Sequence, residues 1–385
     1  MKKILFLVSD DSYFCSHRLN LARAAVQTGF EVAVATKITT HLPQIQAAGL
    51  KVFPLKNFSR TGLNPVNQIL LLIELIKIYK TYHPDIVHQV AIKPVILGSL
   101  VALWCGVPRI MNALGGLGYL FTDQIPPTSP FSAARIKKKL LHTLTCSLFR
   151  FIFSKPNTQL ILQNEDDLKT LIKAGCISHP EKISIIRGAG IDIHAFPVTP
   201  FPLEPPIIIT CIARMLWDKG IGELVAAAEI LQQKNIPAQV ILYGLPDPEN
   251  PASITEIQLQ KWHDSGIIIW KGHCDDVRNA YAQCHIAVLA SYREGLPKTL
   301  LEAASCGRPI VTTDVPGCRE VVQNNENGLL VPAKDSTALA NALIILSQDK
   351  ALCLKMGQAG RKRIETYFAD SLIHQQILRL YNHAP

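Results

Sequence analysis

Long hydrophobic runs are missing from this 385-residue chain: its most apolar region, 86–107, is broken by His88, Lys93 and Pro94, short of the roughly 20 uninterrupted residues a bilayer crossing needs. A membrane-spanning helix is therefore not expected. There is no Cys-x-x-Cys, no His-x-x-x-His and no Asp-x-Asp, so no local ligand set for a metal ion is visible and none is expected at the site. The adjacent carboxylates Asp10-Asp11 and Asp275-Asp276 fit turn or helix-start positions more simply. Zinc-finger spacing, a homeodomain-like helix and an aromatic-basic RNA motif are also absent, which argues against a nucleic-acid partner. No repeat of solenoid length occurs, and the ten cysteines, scattered from Cys15 to Cys353, read as reduced and mostly buried thiols in a chain too large to need disulfide staples.

What is present points to a two-domain α/β protein. The length exceeds that of one usual core, and 48% of the residues are apolar. Thirty-nine basic residues against 30 acidic ones leave a net charge of +9, which suits anionic partners such as nucleotides or phospholipid surfaces. Met1-Lys2-Lys3 followed by an apolar run imitates a signal peptide, but the run stops at Ser9-Asp10-Asp11 without a cleavage site. It reads as a first strand, and the protein is expected in the cytoplasm, with a peripheral position on the inner face of the cytoplasmic membrane left open.

Short apolar runs at 4–8, 32–35, 85–88, 109–112, 160–163 and 183–186 alternate with helical patterns at 18–28, 65–82, 94–105 and 165–174. Such alternation means a parallel sheet with helices on both faces. A proline-rich stretch, 197–206, then breaks the pattern and is expected as a linker. Beyond it strands restart at 207–213, 239–243, 267–270, 285–290 and 309–312. The expected division is a first Rossmann-like domain at 1–196, the linker, a second Rossmann-like domain at 207–366, and a C-terminal helix at 367–385. In doubly wound sheets ligands bind outside the carboxyl ends of the strands, so two facing units would enclose a cleft.

Two strand exits in the second half carry the chemistry. One runs Arg214-Met215-Leu216-Trp217-Asp218-Lys219-Gly220; its two cations either neutralise a diphosphate or serve a structural carboxylate and the solvent. The other runs Ser291-Tyr292-Arg293-Glu294-Gly295-Leu296-Pro297-Lys298-Thr299-Leu300-Leu301-Glu302 across a strand-loop-helix junction. Proline in the first helical turn would leave the amides of Lys298, Thr299 and Leu300 pointing outward, an arrangement that attracts phosphate. Glu302 then accepts hydrogen bonds from a ribose diol and Glu294 holds sugar hydroxyls, or Glu302 merely complements the helix dipole and Glu294 is a solvated loop carboxylate.

With the Arg214-to-Lys219 loop, the Glu-x7-Glu pair Glu294/Glu302 continuing into Gly-Arg-Pro-Ile-Val, and Gly188-Ala189-Gly190-Ile191-Asp192, the chain resembles the retaining family 4 glycosyltransferases of GT-B architecture over nearly its whole length. Stretch 243–254 and Tyr292-Arg293-Glu294-Gly295-Leu296-Pro297-Lys298 look like the branch that builds bacterial lipid-linked O-antigen, capsule or lipooligosaccharide repeats, often from N-acetylhexosamine donors. The resemblance implies two Rossmann-like domains facing across a cleft, and a retaining, metal-independent hexosyltransferase with a nucleotide sugar, UDP-linked, as substrate and no cofactor. It makes Arg214 and Lys219 the diphosphate binders, Glu302 the ribose binder and Glu294 the donor-sugar contact. The backbone of Gly295, Leu296, Pro297, Lys298, Thr299 and Leu300 would cradle sugar and distal phosphate, with Tyr243 and Gly244 alongside. It also implies that the C-terminal helix crosses back onto the first domain.

The first domain is expected to supply the acceptor side. Ser12, Tyr13 and His17 leave the first strand, where they face the cleft or cap the next helix. The loop Asn112-Ala113-Leu114-Gly115-Gly116-Leu117-Gly118-Tyr119 permits close backbone approach through Gly115 and Gly116. Many members of the family place a histidine in this loop; none is here, and His88 reads as structural. Segment 135–155 carries Leu140, Leu141, Leu144, Leu148, Phe151 and Ile152 at helical spacing beside Lys137, Lys138 and Lys139. It lies against anionic lipid, near a lipid-linked acceptor, or is an ordinary packed helix with a basic turn. Rival readings of the whole chain are a nucleotide-sugar epimerase or a phosphorylase of similar architecture, and a non-catalytic nucleotide-sugar-binding protein.

Overall fold

The structure, a computed structural model, describes residues 1–59, 64–117, 121, 133–248 and 250–382. The chain divides into two compact units, Met1–Ala189 with Ile373–Pro385, and Gly190–Leu372. Among the described residues each is built on one parallel sheet with helices on both faces.

In the first unit, strands β1 (Lys3–Asp10), β2 (Glu31–Lys37), β3 (Lys51–Pro54), β4 (Ile86–Val90), β5 (Arg109–Leu114), β6 (Thr158–Leu162) and β7 (Ile183–Ile185) lie in the order β3-β2-β1-β4-β5-β6-β7. Alternation along a strand sends neighbouring side chains to opposite faces. Ile4, Phe6 and Val8 pack with Val32, Val34 and, from the C-terminal helix, Ile373, Ile377 and Tyr381; Leu5 and Leu7 join Leu71, Leu75 and Tyr79 of helix Pro65–Tyr82. Both faces are covered, so β1 reads as one unbroken apolar run.

In the second unit, β8 (Ile207–Ile212), β9 (Ala238–Tyr243), β10 (Ile269–Trp270), β11 (Ile286–Leu289), β12 (Ile310–Thr313) and β13 (Gly328–Val331) lie in the order β10-β9-β8-β11-β12-β13. Ile286 and Val288 face one core, Ala287 and Leu289 the other. The chain runs outward from β8 through β9 and β10, then returns to β11 on the other side of β8. The first unit makes the same reversal between β1 and β4. These are the topological switch points where ligands of doubly wound sheets bind.

Two edge strands, β3 and β13, were not expected from sequence. Each has only four residues, and β3 is half-exposed and ends on a proline, which an edge tolerates because one side of the strand makes no ladder bonds. Helix also begins earlier than position 18, at Asp11, where the Asp10 carboxylate caps the Tyr13 amide at 2.8 Å.

The proline-rich stretch lies within the second unit. Arg308, fully buried, donates from Nη2 to the carbonyls of Pro200 at 2.8 Å and Thr199 at 3.1 Å, and Arg361 Nη1 donates to the Phe196 carbonyl at 2.8 Å. A guanidinium has enough donors to satisfy several carbonyls at once, so these arginines fasten a segment whose prolines cannot donate. All ten cysteines are free thiols. Among the described residues no single helix is long and apolar enough to cross a membrane.

Candidate active site

The switch point of the second unit brings together two strand exits that the sequence separates by about 75 positions. Beyond β8, a 3-10 turn at Trp217–Lys219 closes on Gly220, and helix Ile221–Gln233 follows. Beyond β11, the loop from Ala290 reaches helix Lys298–Ser305. The Tyr292 amide donates to the Asp218 carbonyl at 2.9 Å and ties the two loops together.

At their junction Lys219 Nζ pairs with Glu294 Oε1, with side chains only 19% and 13% exposed. Ser291 Oγ donates to the same oxygen at 2.6 Å, and the Glu294 amide donates to the Pro316 carbonyl at 3.3 Å. Thr313 Oγ1 in turn holds the Ser291 carbonyl. Glu294 is thus held in one orientation by Lys219, Ser291 and the Pro316 carbonyl.

Arg214 behaves differently. Its Nη1 pairs with Asp247 Oδ2 at 2.6 Å and its side chain is 47% exposed, so of the two readings open in the sequence the structure has it on a carboxylate at the surface. An exposed pair of this kind is worth about 0.2–1 kcal/mol and is readily broken. Glu302 sits further along the helix, 5% exposed, with Lys298 Nζ 3.4 Å from its Oε1. Burial pushes its carboxyl above the usual carboxylate range, and Lys298 opposes the shift.

The helix start differs from expectation in one respect. Pro297 is the N-cap, with φ −74° and ψ 111°, and its carbonyl accepts the Leu300 amide at 3.1 Å. Leu300 therefore does not present an unpaired N–H; the 3-10 bond that tightens the first turn consumes it. Thr299 uses its carbonyl to accept the Tyr281 hydroxyl at 2.8 Å. Close packing shapes the floor: a Cβ on Gly317 would lie 2.4 Å from the Gly295 carbonyl oxygen, and one on Gly244 1.7 Å from that of Ala213. Tyr243 ends β9 half-buried, its carbonyl accepting from Ala213 at 3.0 Å, with Lys271 Nζ 5.7 Å from its ring centroid. Leu296 packs against the core beneath.

On the first unit, Tyr13 and His17 stack with ring centroids 4.2 Å apart, and Ser12 is exposed beside them. A Cβ on Gly115 would lie 3.3 Å from the Tyr13 hydroxyl and 3.5 Å from Gln163 Nε2, so Tyr13 and Gln163 lie beside Gly115. Asn112 does not join them. It is fully buried, and its Oδ1 accepts from Ser99 Oγ at 3.0 Å beneath helix Ile92–Trp104. Strand alternation explains this: Asn112 pairs in register with Gln89 on the face covered by that helix. Gly118 and Tyr119 lie outside the described residues.

Asp11 is also committed elsewhere. Burial raises its pKa, but hydrogen bonds from Thr39 and His41 outweigh that and lower it overall. Asp276 caps the helix Val277–Ala282 through the Arg278 amide at 3.0 Å and the Asn279 amide at 3.2 Å. Ser291, Asp247 and Gln163 belong to these surfaces and were not assigned from sequence, because a lone polar residue just after a strand has no spacing that separates it from an ordinary loop.

Residues 3–155 match the family model described as glycosyl transferase 4-like, and residues 206–349 match that of glycosyl transferases group 1. Among curated proteins the chain is 28% identical, over 99% of its length and 98% of the relative's, to N,N'-diacetylbacillosaminyl-diphospho-undecaprenol alpha-1,3-N-acetylgalactosaminyltransferase of Campylobacter jejuni. It is 26% identical to UDP-Gal:alpha-D-GlcNAc-diphosphoundecaprenol alpha-1,3-galactosyltransferase of Escherichia coli, over 77% of this chain and 75% of that one. Among solved structures, Anabaena Alr3699/HepE in complex with UDP and glucose superposes with a TM-score of 0.76 at 16% identity, covering 99% of each chain. Sucrose-phosphate synthase from Thermosynechococcus elongatus does so at 0.76 and 19%, over 99% of this chain and 98% of that one.

Two Rossmann-like units of this topology, with those two matches in sequence order, define a glycosyltransferase of GT-B architecture. The chain belongs to the glycosyl transferase group 1 and 4-like family, with the 4-like part in its first unit and the group 1 part in its second.

Proposed function

We propose that this enzyme moves a hexose or N-acetylhexosamine from a UDP-sugar to a saccharide carried on a lipid diphosphate, with retention at the anomeric carbon and without a metal ion. The observation that carries the reading is the Lys219–Glu294 pair at the β8/β11 switch point, with Glu302 buried in the adjoining helix. Two named relatives acting on diphospho-undecaprenol saccharides support the acceptor class.

Lys219 neutralises charge as it builds on the departing diphosphate. Arg214 leaves Asp247 to add planar, paired hydrogen bonds. Glu294, held by Ser291, exchanges its pairing with Lys219 for the hydroxyls of the donor sugar. Glu302 accepts from the ribose hydroxyls, and the first-turn N–H groups of the helix at Lys298 favour the anionic end of the ligand. A phosphate oxygen of the leaving group takes the proton of the incoming hydroxyl, so the protein contributes positioning and charge stabilisation rather than a separate base.

Helix Ala133–Phe153 brings the enzyme to its acceptor as a peripheral protein on the inner face of the cytoplasmic membrane. Phe149, Ile152 and Phe153 face the core, whereas Ile136, Leu140 and Leu144, four residues apart on one side, are 68%, 71% and 54% exposed. Lys138 and Lys139 lie on the same stretch; the side chains of Arg135 and Lys137 are outside those described.

The test is transfer by purified enzyme from a panel of UDP-, GDP- and dTDP-sugars to short-chain prenyl-diphosphate saccharides, with and without EDTA, and the product's anomeric configuration read by NMR. An EDTA-resistant α-linked product from an α-linked UDP-sugar is expected. An inverted linkage, loss of activity with EDTA, or epimerised donor as the sole product would each overturn the corresponding part.

A further inference from the structure

Helix Pro65–Tyr82 is apolar on two opposite sides. Leu71, Leu75, Ile78 and Tyr82 turn into the core, as a helix covering a sheet requires. On the other side Val66, Ile69, Leu70 and Ile73 fall at i, i+3, i+4 and i+7 and stay 61%, 58%, 42% and 57% exposed. Lys77 and Lys80 continue that stripe, both exposed. Lys80 Nζ stands 4.8 Å from the ring centroid of Trp104, an exposed side chain at the end of helix Ile92–Trp104. Single exposed apolar residues are ordinary on a protein surface, but a stripe of four continued by cations marks an interaction surface.

The fold decides where this stripe opens. Val101 and Ala102 of helix Ile92–Trp104 share one core with Leu71 and Leu75, and Val95 of the same helix shares another with Phe149 and Ile152. Helices Pro65–Tyr82, Ile92–Trp104 and Ala133–Phe153 therefore lie side by side on one face of the first sheet. Each leads by a short return into the strand that follows it, β4, β5 or β6, and these strands are parallel. Each helix thus runs against the strands and begins at their carboxyl ends. The stripe 66–73 occupies the first half of its helix, and the exposed Ile136 and Leu140 occupy the first half of theirs. Both open at the end of the sheet where Tyr13, Gly115 and Gln163 meet. Charge on this face is of one sign: Glu74 is the single carboxylate in the three helices, and it accepts from the amides of Lys56 at 3.0 Å and Asn57 at 3.3 Å.

We infer that the exposed side of helix Pro65–Tyr82 docks on an anionic bilayer, with Val66, Ile69, Leu70 and Ile73 entering the acyl boundary and Lys77, Lys80 and Trp104 resting among the head groups. Apolar side chains gain by leaving water there, the lysines meet lipid phosphates, and an indole beside an ammonium suits the boundary between the two. The inference rests on the lipid-linked acceptor reading for its purpose and adds a lipid contact separate from helix Ala133–Phe153. One short apolar contact holds a protein to a bilayer only marginally, and a second on the same face multiplies the affinity. Docking through both keeps the carboxyl ends of β4, β5 and β6 at the bilayer surface, where the saccharide of a lipid-linked acceptor emerges.

The experiment uses the full chain and vesicles of equimolar phosphatidylglycerol and phosphatidylcholine. The native enzyme is expected to co-sediment with them, and Ile69→Ser combined with Ile73→Ser to bind about ten- to hundredfold more weakly. Lys77→Gln combined with Lys80→Gln should lose about tenfold at low salt and little at high salt. In Ile69→Trp, lipids brominated on their acyl chains should quench more of the fluorescence than in the native enzyme, which puts position 69 in the hydrocarbon. Transfer to a long-chain prenyl-diphosphate saccharide held in vesicles should fall with binding, while UDP affinity and the rate on a short-chain, soluble acceptor hold. Native enzyme that ignores these vesicles, or unchanged sedimentation with both isoleucines replaced, overturns the inference. So does a native dimer that the same replacement turns into a monomer, since the stripe then belongs to a second copy. If that variant does not fold, Ile69→Trp decides: no added quenching sinks the docking surface. Vesicle binding that depends on the stripe in an enzyme that transfers nothing to lipid diphosphates keeps the surface and removes the acceptor reading.

Discussion

Gly220 stands so close to Ala290 that a Cβ on it would lie 2.1 Å from the Ala290 carbonyl oxygen, and its φ of +68° is left-handed. This contact is what lets the loop after β8 press against the loop after β11 and bring Lys219 to Glu294.

Gly220→Ala should therefore act on both stability and activity. A backbone carbonyl cannot swing away as a flexible side chain would, and alanine is disfavoured at positive φ by about 1–2 kcal/mol before any clash. A fall in melting temperature of several degrees with a loss of donor binding is expected from scanning calorimetry and UDP titration. An unchanged KM for the donor would show that the two loops do not depend on this contact.

Lys219→Ala and Glu294→Ala should each lower kcat/KM by about 100-fold or more while circular dichroism stays native. Their binding signatures should differ. Lys219→Ala loses affinity for UDP itself, whereas Glu294→Ala retains UDP and loses the preference for UDP-sugar over UDP. Full transfer in either purified variant removes its assigned role.

Glu302→Gln separates folding from function. A carboxyl whose pKa is raised by folding binds its proton more tightly in the native state, so its contribution favours folding below the unfolded pKa and is lost as pH rises through the folded one. The glutamine variant is spared that loss. It should melt at or above the native enzyme at neutral pH, with the difference closing near pH ~4, and bind UDP about tenfold more weakly because an amide offers one acceptor oxygen in place of two. A lower melting temperature at neutral pH would contradict the direction of the shift.

Leu140→Glu with Leu144→Glu should reduce co-sedimentation with anionic vesicles several-fold and leave UDP binding unchanged, since both side chains are more than half exposed. Equal sedimentation would return this helix to an ordinary surface element.

Much of the fold is legible along the chain because central strands such as β1, β8 and β11 are covered on both faces and are apolar over most of their length. Edge strands such as β3 and β13 escape notice because each has only four residues, too few for a pattern that distinguishes strand from loop. The proline-rich stretch reads as a linker because nothing local announces that Arg308, about a hundred positions on, will hold its carbonyls. Asn112 shows the same limit, since its place on β5 was legible while the face it occupies depends on which helix lies above.

At the candidate site the residues Arg214, Lys219, Glu294 and Glu302 could be singled out from the two strand exits, with their roles toward a diphosphate and a sugar drawn from the family resemblance. Which cation meets which carboxylate was not legible there. Lys219 reaches Glu294 because β8 and β11 are neighbours at a reversal of strand order, and Arg214 reaches Asp247 because the loop after β9 lies on the other side of β8. Partners far apart in sequence are chosen by sheet order, and sheet order follows from how the whole set of apolar faces is buried.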